Sequence, residues 1–322
     1  MQGCGWLAWG RSFASLWMVA VAILFPTPAS GWGEAGHVAI NRTACEKVPA
    51  GMPQFLHTAA ARIAWLGPEP DRWRSSLEAA LRDAQAPDHY MNLELLDWLS
   101  PLPPDRYRFI QAVYEYRALH PRAGVPQPEK IGFQPYAVIE IFDRLKVAFR
   151  EYRHAQAGNR STSDAEANAV FYAGWLGHYV ADGSNPMHTS IHYNGWVGLN
   201  KKGFSTAPGI HARMETAFVD ANPEVTNFAD LVAKPRRLDR PFEEYVTYLR
   251  ESQSMIERAY ELEKLGGFDG RGTPESREFI RRRLGRGAQM LVNLWYTAWL
   301  DSAMEPPFAS KENVGAAGSG LR

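Results

Sequence analysis

From Val138 onward, apolar residues recur every third or fourth position, through Phe142, Leu145, Phe149 and Tyr152. That period puts them on one face of a helix. Ser163 and Glu166 have the spacing of a capping box and open a second apolar segment through Val170, Phe171, Trp175 and Tyr179. Thr273-Pro274 starts a third, whose buried face is predicted as Leu284, Ala288, Leu291 and Trp295. A single long helix is expected between Pro241 and Leu265. Strand-like alternation is scarce, no internal repeat is visible, and helical periodicity recurs from about Glu34 to Met304. The expected fold is therefore all-α, with loops at residues 101–104, 123–132, 193–208 and 221–240.

The two ends read differently. A single positive charge at Arg11, an apolar run from Phe13 to Phe25, then Pro26, Pro28 and Ala29-Ser30-Gly31 have the order of an export signal cut before Trp32. Residues 1–31 are thus expected to be a signal peptide, with the product secreted or periplasmic. Residues 32–304 are expected to form one catalytic domain. The stretch 305–322, rich in Pro, Gly, Ala and Ser, offers little to bury and is expected to be disordered.

Lys+Arg and Asp+Glu both number 35, which removes any global electrostatic reason to bind nucleic acid or anionic lipid. Cleavage before Trp32 takes away Arg11 and no acid, so neutrality persists. An anionic substrate must then be held by a local site. Arg277, Arg281, Arg282, Arg283 and Arg286 form a basic run, but Glu275 and Glu278 are interspersed with it, and it reads as a solvated helix face. Cys4 falls in the signal and Cys45 is left alone, so no internal disulfide is expected.

The strongest chemical signal is His178-Tyr-Val-Ala-Asp182, followed after an Asn185-Pro186 break by His188. Positions four apart share a helix face, so the imidazole and carboxylate can point at one ion. His211 and Glu215 repeat that spacing. Imidazole nitrogen and carboxylate oxygen are both ordinary zinc ligands. Of the nine histidines, His57, His120, His154 and His192 lack a comparable acidic partner; His192 is close enough in sequence to His188 to orient it.

Trp32-Gly-Glu-Ala-Gly-His37, then Asp88-His89-Tyr90-Met91-Asn92, then His178/Asp182/His188 and His211/Glu215, form an ordered set. It resembles the zinc-dependent phospholipase C and single-strand-specific nuclease superfamily, over the span from Trp32 to about Glu215. The resemblance implies a helical bundle with three zinc ions in a cleft between helices. One ion would be held by His89, His178 and Asp182 with Asp71 nearby, and another by His188, His211 and Glu215. A third would be held by His37, Asp182 and the freed amino group and carbonyl of Trp32. Asp88 competes with Asp71 for the additional carboxylate, and Asp71 is preferred. The activity implied is hydrolysis of a phosphodiester by zinc-activated water, with Asp71 and Asp182 as the catalytic carboxylates and no stable protein partner.

Two substrate classes follow from the same resemblance. Trp-Gly-x-x-Gly-His, His89-Tyr-x-Asn, and Arg74 three residues after Asp71 resemble the nuclease branch. There Arg74 would bind phosphate, Tyr90 would stack on a base and Asn92 would hydrogen-bond its edge. Glu215, Asn-Pro-Met-His188 and the lack of disulfides resemble the phospholipase C branch. A single-strand-preferring nuclease is the leading expectation, a phospholipase C the alternative, and a non-catalytic metal-binding protein the third. Three divalent ions against the three carboxylates would leave about three net positive charges in the pocket, enough to concentrate a phosphodiester on a neutral protein.

Overall fold

The computed structural model describes residues 32–304; the expected signal peptide and C-terminal tail lie outside them. The described residues are helical with no strand, only an isolated bridge between Tyr193 and Gly195. The principal helices are α1 (Gly33–Glu46), α2 (Ala60–Leu66), α3 (Glu69–Arg74), α4 (Arg106–Leu119), α5 (Gln134–Ala157), α6 (Ser163–Ser184), α7 (Pro241–Gln253), α8 (Ile256–Lys264) and α9 (Pro274–Asp301). No helix among them is long and apolar enough to cross a membrane.

Helix α6 is the axis of the bundle. Its first turns are exposed, but from Leu176 to Ser184 every residue is buried, with α1, α2, α5, α7 and α9 packed around it. A helix enclosed on all sides must be built of small or apolar residues, and this one runs through Ala173, Gly174, Gly177, Ala181 and Gly183. At Gly177 the approach is extreme: a β-carbon would lie 1.8 Å from Asn41 Oδ1 of α1. Asn41 in turn donates through Nδ2 to Ile63 O of α2 and Gly174 O of α6, tying the three helices together.

The last turn of a helix leaves carbonyls without intrahelical partners, and here neighbouring side chains supply them. Trp32 Nε1 donates to Ala181 O, Ser252 Oγ to Gly183 O and Arg283 Nε to Ser184 O, while the Tyr245 and Tyr248 hydroxyls add bonds to Tyr179 O and Val180 O just before them. The C-terminal half of α6 is thereby fixed from α1, α7 and α9. It is the segment that carries His178 and Asp182.

Most expected elements are present, with four differences. Helix α5 buries Phe142, Leu145 and Phe149, and α9 buries Leu284, Ala288, Leu291 and Trp295, with Thr273 accepting from Ser276 N as its cap. The capping box at Ser163 is not formed: Thr162 is the cap residue, and its hydroxyl donates to Glu166 Oε1. The helix expected from Pro241 to Leu265 is broken at Ser254-Met255 into α7 and α8, a break no Gly or Pro marks. Two expected loops hold short helical turns, at Pro128–Ile131 and at Pro223–Thr226 with Ala229–Leu231.

The fourth difference lies in the basic run of α9. Arg281 pairs with Asp230, Arg282 with Glu278 and Arg286 with Glu251, as a solvated face predicts. Arg283 departs from it: only 4% exposed, it is spent on the end of α6 and on Ser252 Oγ.

Candidate metal centre

The fold brings His37, Asp71, His89, His178, Asp182, His188, His211 and Glu215 to one place, all at most 8% exposed. Among the described residues their ligand atoms sort into three groups, each within 4.8 Å: His37/His178/Asp182, Asp71/His89/His178 and His188/His211/Glu215. Asp182 is the hub. One oxygen lies 3.4 Å from His37 Nε2; the other lies 3.0 Å from His89 Nδ1, 3.3 Å from His178 Nε2 and 3.7 Å from His188 Nδ1.

Separate elements deliver these groups. Helix α1 carries His37, with its ring stacked at 4.1 Å on that of His178. Asp71 sits on α3, with Arg74 Nη2 3.3 Å from its Oδ1. Asn185 ends α6 and accepts from Met187 N, which turns the chain so that His188 comes back into the cluster. His211 and Glu215 are joined by a π-helical turn, Arg213–Ala217, with Glu215 Oε2 accepting from Asn185 Nδ2 at 3.1 Å. Asp88 is not in the cluster: its carboxylate meets Arg106 at 3.2 Å. Of the two carboxylates considered ahead of His89, Asp71 is therefore the one beside the cluster.

Backbone carbonyls fix which ring nitrogen faces the centre. His178 Nδ1 lies 2.8 Å from Gly67 O and His188 Nδ1 2.6 Å from His89 O, so each presents Nε2 inward. With one inward nitrogen, His178 can serve one ion only, although it belongs to two donor groups.

The residues fit a metal better than they fit one another. Both ring nitrogens of His37 and of His211, His188 Nε2, Asp71 Oδ1, Asp182 Oδ1 and Glu215 Oε1 are buried without a hydrogen-bond partner. His211 Nε2 comes within 2.7 Å of Glu215 Oε2 and still lacks hydrogen-bond geometry. Buried polar atoms left this way are costly and rare in proteins. Bound cations would take one nitrogen of each imidazole and the open carboxylate oxygens.

Electrostatics agree. Burial pulls the His178 imidazole down to about 4, against the opposing pull of Asp71 and the Gly67 carbonyl. Burial likewise lowers His37, His89, His188 and His211, so at neutral pH these rings are in the neutral form that ligates metal. Burial pushes Asp182 up to about 6, with His188 and Arg74 opposing, and raises Glu215 and Asp71 as well. The site holds carboxylates at a cost that a cation relieves.

Trp32, the residue expected to supply an amino terminus, is fully buried. Its indole donates to Ala181 O at 2.9 Å and Ser184 Oγ at 2.7 Å, one turn from Asp182. Gly33 packs against Thr216 and the carbonyl of Glu215. His192, by contrast, stays out of the cluster, stacking on Trp196 at 3.8 Å and accepting from Val197 N. His57, His120 and His154 also lie outside the donor groups.

Beside the cluster opens a cavity of about 330 Å³, lined by Arg74, Tyr90, Asn92, Lys130, Met187, His188, Tyr193 and His211. Arg74, Tyr90 and Asn92 are therefore at the site, but the last two also have a structural task. Tyr90 donates its hydroxyl to Glu129 O, and Asn92 Nδ2 donates to Lys130 O. Lys130 and Tyr193 were not found by motif; neither has a local pattern that marks it.

No protein-family model matches the chain, and no curated protein matches it. Solved structures overlap it at low identity, two clostridial toxins among them. The alpha toxin from Clostridium absonum is 10% identical, with a TM-score of 0.42, covering 86% of this chain and 66% of its own. The Clostridium perfringens alpha-toxin from an avian strain is 12% identical, with a TM-score of 0.40, covering 85% and 64%. The chain thus spans just under two thirds of either toxin's length. A likeness that distant says nothing about activity.

Proposed function

We propose that the protein is an exported zinc-dependent phosphodiesterase that prefers single-stranded nucleic acid. The observation that carries this reading is the convergence of eight buried His, Asp and Glu side chains whose inward atoms have each other for neighbours but few hydrogen-bond partners. Five neutral imidazoles with three carboxylates and no cysteine suit zinc. Asp71, His89, His178 and Asp182 would hold one ion, and His188, His211 and Glu215 a second. His37, Asp182 and the amino group and carbonyl of Trp32 would hold a third. Such ions supply Lewis acidity, neutralising phosphoryl oxygens and acidifying water.

The chain's own residues do the rest. Arg74, at the cavity wall and 3.3 Å from Asp71, is placed to grip a phosphate oxygen while orienting that carboxylate. Asp71 is placed to orient water and hold its proton. The rings of Tyr90 and Tyr193 offer a base two aromatic walls. Among the described residues no carboxylate lines the cavity, whereas Arg74 and Lys130 do, which suits an anionic chain better than a cationic head group. Phospholipase C activity is favoured by a different feature, the exposed Val197 and Leu199 on the segment that follows Tyr193.

An assay of correctly processed, zinc-loaded protein on RNA, single-stranded DNA, phosphatidylcholine and a bis-aryl phosphate tests the reading. Cleavage of single strands is expected. Activity on phosphatidylcholine alone would make it a phospholipase, and zinc binding with no cleavage would leave a metal-binding protein.

Two further results are expected. Base stacking is worth about 1–3 kcal/mol, so Tyr193→Ala should lower cleavage of single strands roughly fivefold to a hundredfold more than cleavage of the bis-aryl phosphate. Equal losses on both would remove the stacking role. The second concerns pH. In the metal-free protein the Asp182 carboxyl titrates at about 6, above its ordinary value of 3.8, so it takes up a proton as pH falls through 6. Burial shifts the histidines the other way, His178 to about 4. Below pH 6 an ion must displace the Asp182 proton, and zinc affinity should be about tenfold weaker at pH 5 than at pH 7 from this group alone. Chelator competition corrected for the chelator's own protonation measures it; an unchanged affinity would contradict the assignment.

A further inference from the structure

The turn at Pro128–Ile131 has no part in the metal cluster, yet it is locked to the strand of chain that carries His89. Asn92 N donates to Ile131 O and Phe133 N to Pro87 O, both at 2.7 Å, and Gln134 N donates to Tyr90 O at 3.3 Å. Side chains add Tyr90 to Glu129 O, Asn92 to Lys130 O and Gln134 Nε2 to His89 O. Gly132 closes the turn at φ 108°, where a β-carbon would stand 2.0 Å from Tyr90 O. The backbone of Lys130 is therefore held in fixed register with a proposed zinc ligand.

Its side chain is used for nothing in this framework. The Lys130 ammonium has no hydrogen bond or ion pair with any described residue, and it lines the cavity that also holds Arg74, His188 and His211. The nearest acid in sequence, Glu129, does not line that cavity; it bears on Tyr90, whose hydroxyl burial pushes up to about 12. An exposed cation whose backbone is held in register, with no partner among the described residues and beside a cavity whose described lining has no carboxylate, suits recognition of an anion.

Resting on the phosphodiesterase reading above, we propose that Lys130 binds a second phosphate of the substrate, next to the one that is cleaved. It thereby sets a preference for oligonucleotides over substrates with a single negative charge. Arg74 and Lys130 line the same cavity from separate segments, so one would hold the reacting phosphate and the other its neighbour.

A cycle that deletes charge on either partner tests this. The substrates are dithymidine monophosphate with and without a terminal phosphate, tried at each end. The proteins are zinc-loaded wild type, Lys130→Ala and Lys130→Arg. Wild type should favour a terminally phosphorylated substrate about tenfold, in KM rather than kcat, and Lys130→Ala should erase that preference while Lys130→Arg keeps it. An equal preference in wild type and Lys130→Ala would overturn the proposal and leave the phosphodiesterase reading standing. Should wild type cleave neither substrate, that reading fails instead, and calorimetry with the intact pair decides on Lys130. Binding with the same coupling upholds the second phosphate site, and no binding or no coupling rejects it.

Discussion

Replacing Asp182 with alanine is expected to abolish phosphodiester hydrolysis and to release more than one zinc ion per chain, whereas His57→Ala does neither. The reason is position. One oxygen of Asp182 faces His37 and the other faces His89 and His178, histidines proposed to hold different ions. A carboxylate shared in this way cannot be lost from one group alone. Stabilisation of a phosphoryl transition state by bound ions is worth several kcal/mol, so the rate should fall roughly a thousandfold or more.

The same variant gives a sign reversal in stability. Without metal, the fully buried Asp182 carboxyl is strained upward by desolvation, and its stabilising contribution, present below pH 3.8, is lost as pH rises through about 6. At pH 7.5 the metal-free Asp182→Ala protein should therefore unfold no more easily than metal-free wild type. With zinc, wild type should be far the more stable. Thermal melts with and without chelator check both statements. Equal metal content and equal rates in Asp182→Ala and His57→Ala would mean that the centre is assigned wrongly.

A second large effect is expected from the chain's amino terminus. One residue or a tag left ahead of Trp32 should reduce activity about a hundredfold or more and remove the third ion, with the other two largely retained. The nitrogen of Trp32 in a peptide bond has its lone pair delocalised into the carbonyl and is a poor ligand. Once the bond after Gly31 is cut it is an amine, with a pKa of about 7.7–8.0, whose proton zinc displaces near neutral pH. Contacts of Trp32 and Gly33 would hold a freed amine in place. The indole is clamped to Ala181 O and Ser184 Oγ, and Gly33 is wedged against Thr216. Native-speed hydrolysis by an extended protein, with all ions bound, would end the terminal-ligand assignment.

How far the sequence can be read depends on how local each signal is. His178, Asp182 and His188 are legible because helical spacing and an Asn-Pro break act within eleven residues; the fold puts His178 and Asp182 in one donor group and His188 in another beside it. The choice between Asp71 and Asp88 is not local. Both precede His89, and only the fold shows that Asp88 turns to Arg106 while α3 brings Asp71 to the cluster. Arg283 has the same limit: among arginines four of which read correctly as surface, its burial follows from the unmet carbonyl of Ser184 on another helix. Lys130 has no motif, since its place depends on Gly132 folding the turn back on Tyr90. The π-helical turn between His211 and Glu215 was invisible as well, because four-residue spacing suits either helix type.

The central claim is that this cluster is a zinc centre, and the most direct measurement is anomalous diffraction at the zinc edge from mature protein never exposed to chelator. Three peaks per chain are predicted, one among Asp71, His89, His178 and Asp182, one among His188, His211 and Glu215, and one between His37, Asp182 and the amino terminus of Trp32. A single peak, or none, with all of these side chains in place would contradict it.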